Sequence, residues 1–188
     1  EEIICETSSF TLEELKQMML FAWVFSTFQN LGVFEEFSQY YRQIHDLSFM
    51  SFYETFFEFS KSEKTVFSEE IEIVTKYFDI GFSGNGWDHI EPRFGNINWP
   101  IEEASWLRFS LDNNRFKKDA MKFLEFLEKK YNFSSRKEVL EDLTKFQGFL
   151  TTSKTSLEEI KTEKFIVDWK NFFMNKHNKV KQIPTQYY

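Results

Sequence analysis

Apolar residues recur at helical spacing along most of the chain, and several of the runs open on a capping residue. Thr11 with Glu14 makes a capping box, and Phe10 and Leu15 flank it as a hydrophobic staple. Residues 17–34 then carry no charge, although Gln17, Ser26, Thr27, Gln29, Asn30 and Gly32 interrupt the apolar run. A membrane span needs roughly 20 predominantly apolar residues. The run therefore predicts a central helix, covered nearly all round by neighbours, with a bend at Gly32. Phe34, Phe37, Tyr40, Tyr41 and Ile44 predict a helix over 33–46, with His45 at the end that the dipole favours. Ser51 with Glu54 predicts the next start, followed by Phe52, Phe56 and Phe59 on one side. Phe67, Ile71, Val74 and Phe78 stripe a helix over 65–78. Phe116, Ala120, Phe123, Leu124, Leu127 and Tyr131 stripe another over 114–131, whose lysines and glutamates keep its far face wet.

Ser135 with Glu138 predicts a cap for a helix through Val139, Leu140, Leu143 and Phe146 that fades near Gly148. Residues 151–156 form a polar linker, with Ser156 and Glu159 placed to cap one short turn. Residues 164–169 suit a strand, with a helix over 162–174 as the alternative. Residues 182–188 read as an extended end, which would form a small two-stranded ribbon with Ile3 and Ile4. Apolar faces this wide must bury one another. The expected fold is mainly α: an irregular multi-helix bundle, more than half helical, with a small β ribbon from the chain ends. The expected organisation is a single helical domain over 1–188. It divides into a helical core (1–78), an ordered loop (79–110), a helical hairpin (111–150) and a C-terminal extension (151–188).

Residues 79–110 have a different texture. They hold four of the six glycines, two of the three prolines and three of the five tryptophans. Gly81, Gly84 and Gly86 permit backbone angles closed to other residues. Asn85-Gly86 is a turn dipeptide, and Pro92 and Pro100 preset the path around them. Trp87, Phe94, Trp99 and Trp106 are too apolar for a loop that waves in water. The expectation is that residues 85–100 are ordered, with Trp87 and Trp99 as anchors. Arg93, with Asp88 or Asn96, should face a cleft, where Arg93 and Asn96 would hold a carboxylate or phosphate; the plainer reading pairs Arg93 with a local acid. Trp87 and Trp99 form either a flat platform for a substrate or a plug on the core. Pro100 sits where a helix begins, and Glu102 and Glu103 suit its first turn rather than a general-acid pair.

Composition narrows the chemistry. The formal charge of -7 argues against a non-specific nucleic-acid binder, which needs a basic footprint. A single cysteine, Cys5, excludes an internal disulfide framework and any cysteine-only metal or iron–sulfur site built within the chain. No HExxH, Gly-Lys-Ser/Thr phosphate loop, G-x-S-x-G elbow or G-x-G-x-x-G spacing occurs. His45, His89 and His177 share no ligand spacing. Asp88-His89 is the one adjacent acid–imidazole pair, and chain neighbours rarely orient one another. The chain begins at Glu1 with neither methionine nor signal pattern. It is expected to be a piece of a longer protein, although processing would look the same.

Three segments carry a resemblance. They are Cys5-Glu6-Thr7-Ser8-Ser9 running into Leu12, Glu13 and Phe21-Ala22-Trp23; Gly84-Asn85-Gly86-Trp87-Asp88 with Arg93-Phe94-Gly95-Asn96-Ile97 and Trp99-Pro100-Ile101-Glu102-Glu103-Ala104; and Trp106-Leu107-Arg108 leading to Phe116. In these the chain resembles the region C-terminal to the catalytic core of cobalamin-binding radical S-adenosylmethionine proteins of the magnesium-protoporphyrin IX monomethyl ester cyclase-like group. The resemblance implies a cytoplasmic accessory domain that packs on the catalytic barrel and helps to enclose substrate. Its partners would be the radical S-adenosylmethionine and cobalamin-binding domains of the same polypeptide, with no nucleic acid and no membrane span. Trp87, Asp88, Arg93, Asn96 and Trp99 would face substrate or the interface. The parent would use a 4Fe-4S cluster, S-adenosylmethionine and cobalamin for a radical methylation or related reaction. The C-x3-C-x2-C motif and the cobalamin domain are absent here, so this chain is expected to bind none of these cofactors and to catalyse nothing alone. The alternative is a free-standing helical protein-interaction module.

Overall fold

The computed structural model describes residues 4–153 and 162–188. It is 66% helical, with eight α-helices and one two-stranded antiparallel sheet among the described residues. The mainly α bundle with a small ribbon is thus the observed architecture.

Helix α1 (Leu12–Val24) opens on the Thr11–Glu14 capping box. It continues into a π-helical turn, Phe25–Asn30, which ends at Gly32 with φ 78°. The central, fully covered helix expected over 17–34 is only half realised. Met18 is 52% exposed, and within α1 only Trp23 and Val24 are buried. The reason is placement: α1 packs mainly on one helix, α4 (Val66–Phe82), which leaves its other side open. Full burial begins at the last residue of α1, Val24, and continues in the π turn with Thr27 and Phe28. None of the described helices is long and apolar enough to cross a membrane.

Phe34 sits at the start of α2 (Glu35–His45), fully buried. Its ring meets Phe28 at 4.9 Å, Phe67 at 5.1 Å, Phe37 at 5.2 Å, Phe56 at 5.3 Å and Phe123 at 5.5 Å between centroids. These rings come from four helices and the π turn, so phenylalanine is the material of the core. Four of these contacts are edge to face and the one with Phe123 is stacked, and aromatic pairs of this kind add about 0.5–1.5 kcal/mol each beyond area burial.

Helix α3 (Phe49–Ser62) starts earlier than the Ser51–Glu54 spacing suggests. Ser48 is the cap, and its hydroxyl accepts from the Ser51 amide at 3.0 Å. Helix α4, capped by Thr65, runs through Gly81 to Phe82 instead of stopping at Phe78. Helix α5 (Ile101–Leu111) begins directly after Pro100. The stretch expected as loop over 79–110 is therefore loop only over 83–100, because both flanking helices invade it. Helix α6 (Asn113–Tyr131) follows its predicted stripe.

Helix α7 (Lys137–Ser153) differs from expectation at both ends. The Ser135 hydroxyl accepts from Tyr40 and lies 3.1 Å from His45 Nε2, so it is spent on α2 and not on a cap. The helix does not fade at Gly148. A Cβ there would sit 2.7 Å from Lys117 Cδ, so the glycine admits α6 closely. The expected turn at Ser156 and Glu159 lies outside the described residues.

The ribbon pairs β1 (Glu163–Val167) with β2 (Gln182–Tyr187), joined through α8 (Trp169–Met174). Both strands come from the C-terminal end. Ile4 is 74% exposed and in no strand, and Ile3 lies outside the described residues. A ribbon this short is marginal in water; here α7 supports it. Asp142 accepts from the Ile166 amide at 3.1 Å and from Trp169 Nε1 at 2.8 Å.

Candidate functional site

Two helices and the 83–100 loop build the most organised polar cluster among the described residues. Glu70 lies on α4 one turn from both Phe67 and Val74, within the buried face, and is 3% exposed. A carboxylate there requires partners. Arg108 on α5 supplies them: Nε donates to Glu70 Oε2 at 2.9 Å, and Nη2 donates to Oε1. Ser105, fully buried, donates toward Glu70 Oε1 at 2.7 Å and accepts from Trp23 Nε1 at 3.2 Å. The remaining Arg108 nitrogen, Nη1, turns to the loop. It donates to His89 Nε2 at 3.2 Å and Glu91 Oε2 at 3.4 Å. Glu91 in turn accepts two bonds from Arg93, at 2.9 and 3.0 Å.

The loop's own backbone completes the brace. Gly84, with φ 81°, lets the chain leave α4 while its amide returns to the Gly81 carbonyl at 3.1 Å. Trp87 then folds back onto α4. Its ring lies over Gly81, where a Cβ would come within 2.5 Å of it, and beside Phe82 at 5.1 Å. The Tyr77 hydroxyl donates to the Trp87 carbonyl at 2.9 Å. Ile90 and Asn98 form an isolated antiparallel bridge, and the Trp99 amide donates to the His89 carbonyl at 2.8 Å. Asn98 closes the turn by accepting from the His89 amide and donating to Asp88, both at 2.8 Å.

The electrostatics follow from these contacts. The Arg93 guanidinium holds the Glu91 carboxyl down at about 2. Burial, and then the charge of Arg108, hold His89 below the ordinary imidazole value, while Glu91 and Glu70 oppose them. Burial, with Glu102 and Asp88, raises Tyr77. An arginine N–H is always a donor, so His89 Nε2 must accept, and the imidazole is neutral.

Two cavities border the loop. A cleft of about 190 Å³ is lined by Glu69, Glu70, Arg93, Arg108, Asp112 and Arg115 among others. Each arginine in it already holds a carboxylate: Glu91, Glu70 and Glu69 respectively. The cleft is a neutralised brace with no cation to spare for an anion. The second, about 380 Å³, is an apolar groove lined by Asn30, Leu31, Trp99, Glu103, Trp106 and Leu107. Trp99 and Trp106 are half-buried, and their indole nitrogens are buried without a partner. Ile90 and Ile97, also on the loop, are 53% and 56% exposed.

The five residues singled out in the sequence do not meet at one cavity. Arg93 lines the cleft and Trp99 the groove. Trp87 packs against the core, and Trp99 is not among the residues packed there. Arg93 pairs with Glu91 rather than with Asp88 or Asn96. Asp88 is taken by Asn98, and Asn96 is exposed. Asp88 and His89 are not a dyad, because His89 Nε2 faces Arg108. The residues that organise the site, Glu70, Ser105 and Arg108, were not singled out. Their signal was present: Glu70 interrupts the apolar stripe of α4, and a charge on a buried face asks for a partner.

Among the described residues, no group of three or more His, Cys, Asp or Glu is placed to hold a metal ion. No family model matches the chain, and no curated protein matches it.

Proposed function

We propose that the chain is an accessory helical module of a larger cobalamin-binding radical S-adenosylmethionine enzyme. Its contact face is the 83–100 loop with the groove of Leu31, Trp99, Trp106 and Leu107. One observation carries this assignment. The loop is tied from beneath by Arg108, Glu91 and the seat of Trp87, yet Ile90, Ile97 and half of Trp99 remain outside. Tryptophan-rich apolar surface on a well-braced loop suits contact with another protein surface. The resemblance supplies the identity of that surface, because its middle segment runs through this same loop. A 4Fe-4S cluster needs several cysteine thiolates, and Cys5 is the chain's one cysteine. In the proposal all cofactors belong to the partner domains, and this chain supplies packing and enclosure.

The test begins with the reading frame. A C-x3-C-x2-C motif encoded upstream of this chain is expected. The upstream domains and this chain, produced as separate polypeptides, should then associate in sedimentation experiments. Ile97→Asp, an exposed position, should weaken that association by about tenfold or more, as for a residue inside an interface. A frame without the cysteine motif would sink the radical-enzyme assignment and favour the free-standing interaction module. Association indifferent to Ile97→Asp would refute the assigned face.

A further inference from the structure

The loop has one attachment that a single proton can undo. Arg108 is fixed at its inner side by Glu70 and has one nitrogen, Nη1, left for the loop. That nitrogen meets a lone pair on His89 Nε2 at 3.2 Å, with a longer bond to Glu91 Oε2 at 3.4 Å. A proton on Nε2 would convert the acceptor into a donor and set an N–H against an N–H, with a cation beside a cation. His89 is also the hinge of the loop's small ladder, through its carbonyl to Trp99 and its amide to Asn98. Trp87 is anchored independently on Gly81.

We propose that His89 and Arg108 form a proton-sensitive latch, which releases the outer part of the 83–100 loop, and with it the Trp99 wall of the groove, when His89 is protonated. This regulates the contact face assigned above and rests on that assignment for its purpose; its test needs no partner.

The groups facing His89 come from three elements. Helix α4 presents Glu70 and the edge of Tyr77, whose ring centroid is 5.8 Å away. Helix α5 presents Arg108, with Glu102 nearby at Tyr77. The loop presents Glu91. Glu91 and Glu70 favour the protonated ring, but Glu91 is already engaged by Arg93 and Arg108, and Glu70 by Arg108. Burial and Arg108 outweigh them and hold the neutral form to lower pH than an ordinary imidazole. The latch therefore stays closed at neutral pH and opens on acidification.

The experiment is amide hydrogen exchange by NMR, corrected for intrinsic rates, between about pH 7.5 and about pH 5, the range in which histidine titrates. The Trp99 amide should lose protection by about tenfold or more, the equilibrium equivalent of one hydrogen bond to a charged group. The Phe123 amide, in the core on α6, should not follow. The midpoint of the Trp99 change should coincide with the His89 imidazole titration read in the same samples. His89→Gln keeps an acceptor for Arg108 and cannot take the proton, so its Trp99 amide should stay protected throughout. His45→Gln should behave as wild type. Equal changes at Trp99 and Phe123, no change at Trp99, a midpoint that departs from the His89 titration, or a His89→Gln response matching wild type would each overturn the latch. Loss of partner association alone would leave it standing.

Discussion

Gly81→Ala tests the seat of Trp87. The substitution places a methyl inside α4, where Gly to Ala ordinarily gains up to about 1 kcal/mol of helix stability. Gly81 has no positive φ to protect and lies one residue from the helix end, so part of that gain is available. Against it stands contact: the new Cβ would lie 2.5 Å from Cδ2, Cε3 and Cζ3 of Trp87. No rotamer of a methyl relieves this, and the indole is hemmed in by Phe82, Tyr77 and Phe78. Overpacking of this kind costs about 1–3 kcal/mol. The net expectation is a loss of roughly 1 kcal/mol, read as a lower urea midpoint at unchanged slope. Gly148→Ala is the control. Its Cβ would meet the flexible stem of Lys117, which can move aside, so it should be neutral or stabilising. The decisive measurement is the double-mutant cycle with Trp87→Ala. Gly81→Ala should turn stabilising once the indole is gone, with a coupling of about 2 kcal/mol. A Gly81→Ala variant more stable than wild type, or a coupling near zero, would show that Trp87 does not sit on α4 at all.

Two further outcomes concern charge. Glu70→Ala leaves the buried Arg108 only its longer contact to Glu91 and should cost about 3 kcal/mol in urea unfolding; a cost below about 1 kcal/mol would mean that Glu91 or solvent takes the place of Glu70. Stability should also fall with acid in two windows. His45 and His89 are both held below the ordinary imidazole value, chiefly by burial. Below about pH 6.5 the unfolded chain takes up protons that the folded one refuses, so the urea midpoint should drop from there downward. The Glu91 contribution is present above its unfolded value and is lost as pH falls toward about 2. A midpoint flat between about pH 7.5 and about pH 5 would contradict the histidine assignments.

Much of the bundle was legible because it rests on local rules. The Thr11–Glu14 box, the bend at Gly32 and the stripe of α6 each follow from a few neighbouring residues, and each is observed. The misses share a cause: the deciding partner lay far away in sequence. Gly81 reads in sequence as a loop glycine with special backbone angles, yet its bare Cα serves Trp87, while the helix continues. Ser135 has the spacing of a cap, but Tyr40 and His45 claim its hydroxyl. Within the candidate site, the tryptophans and prolines announced an ordered loop. What holds it is a pair separated by a whole helix and loop, Glu70 and Arg108, and only the out-of-place charge on α4 hinted at it. Arg93 was visible as a residue with a job, and pairing with a local acid was its plainer reading; the acid is Glu91, two positions away.

The ring cluster around Phe34 has a consequence for how the interior moves. A phenylalanine ring is unchanged by a half-turn about its long axis, so a flip converts the structure into itself and costs no free energy overall. The barrier alone is at issue. Phe34 is fully enclosed, and its neighbours on several helices are rings of the same kind, set largely edge to face. A flat disc cannot sweep through such a packing unless those neighbours separate together, because interiors at this density have no free volume to lend. The flip rate of Phe34, read from the exchange of its two ring edges, would thus act as a gauge of concerted breathing. Its pressure dependence would give the activation volume by which α2, α3, α4 and α6 must draw apart.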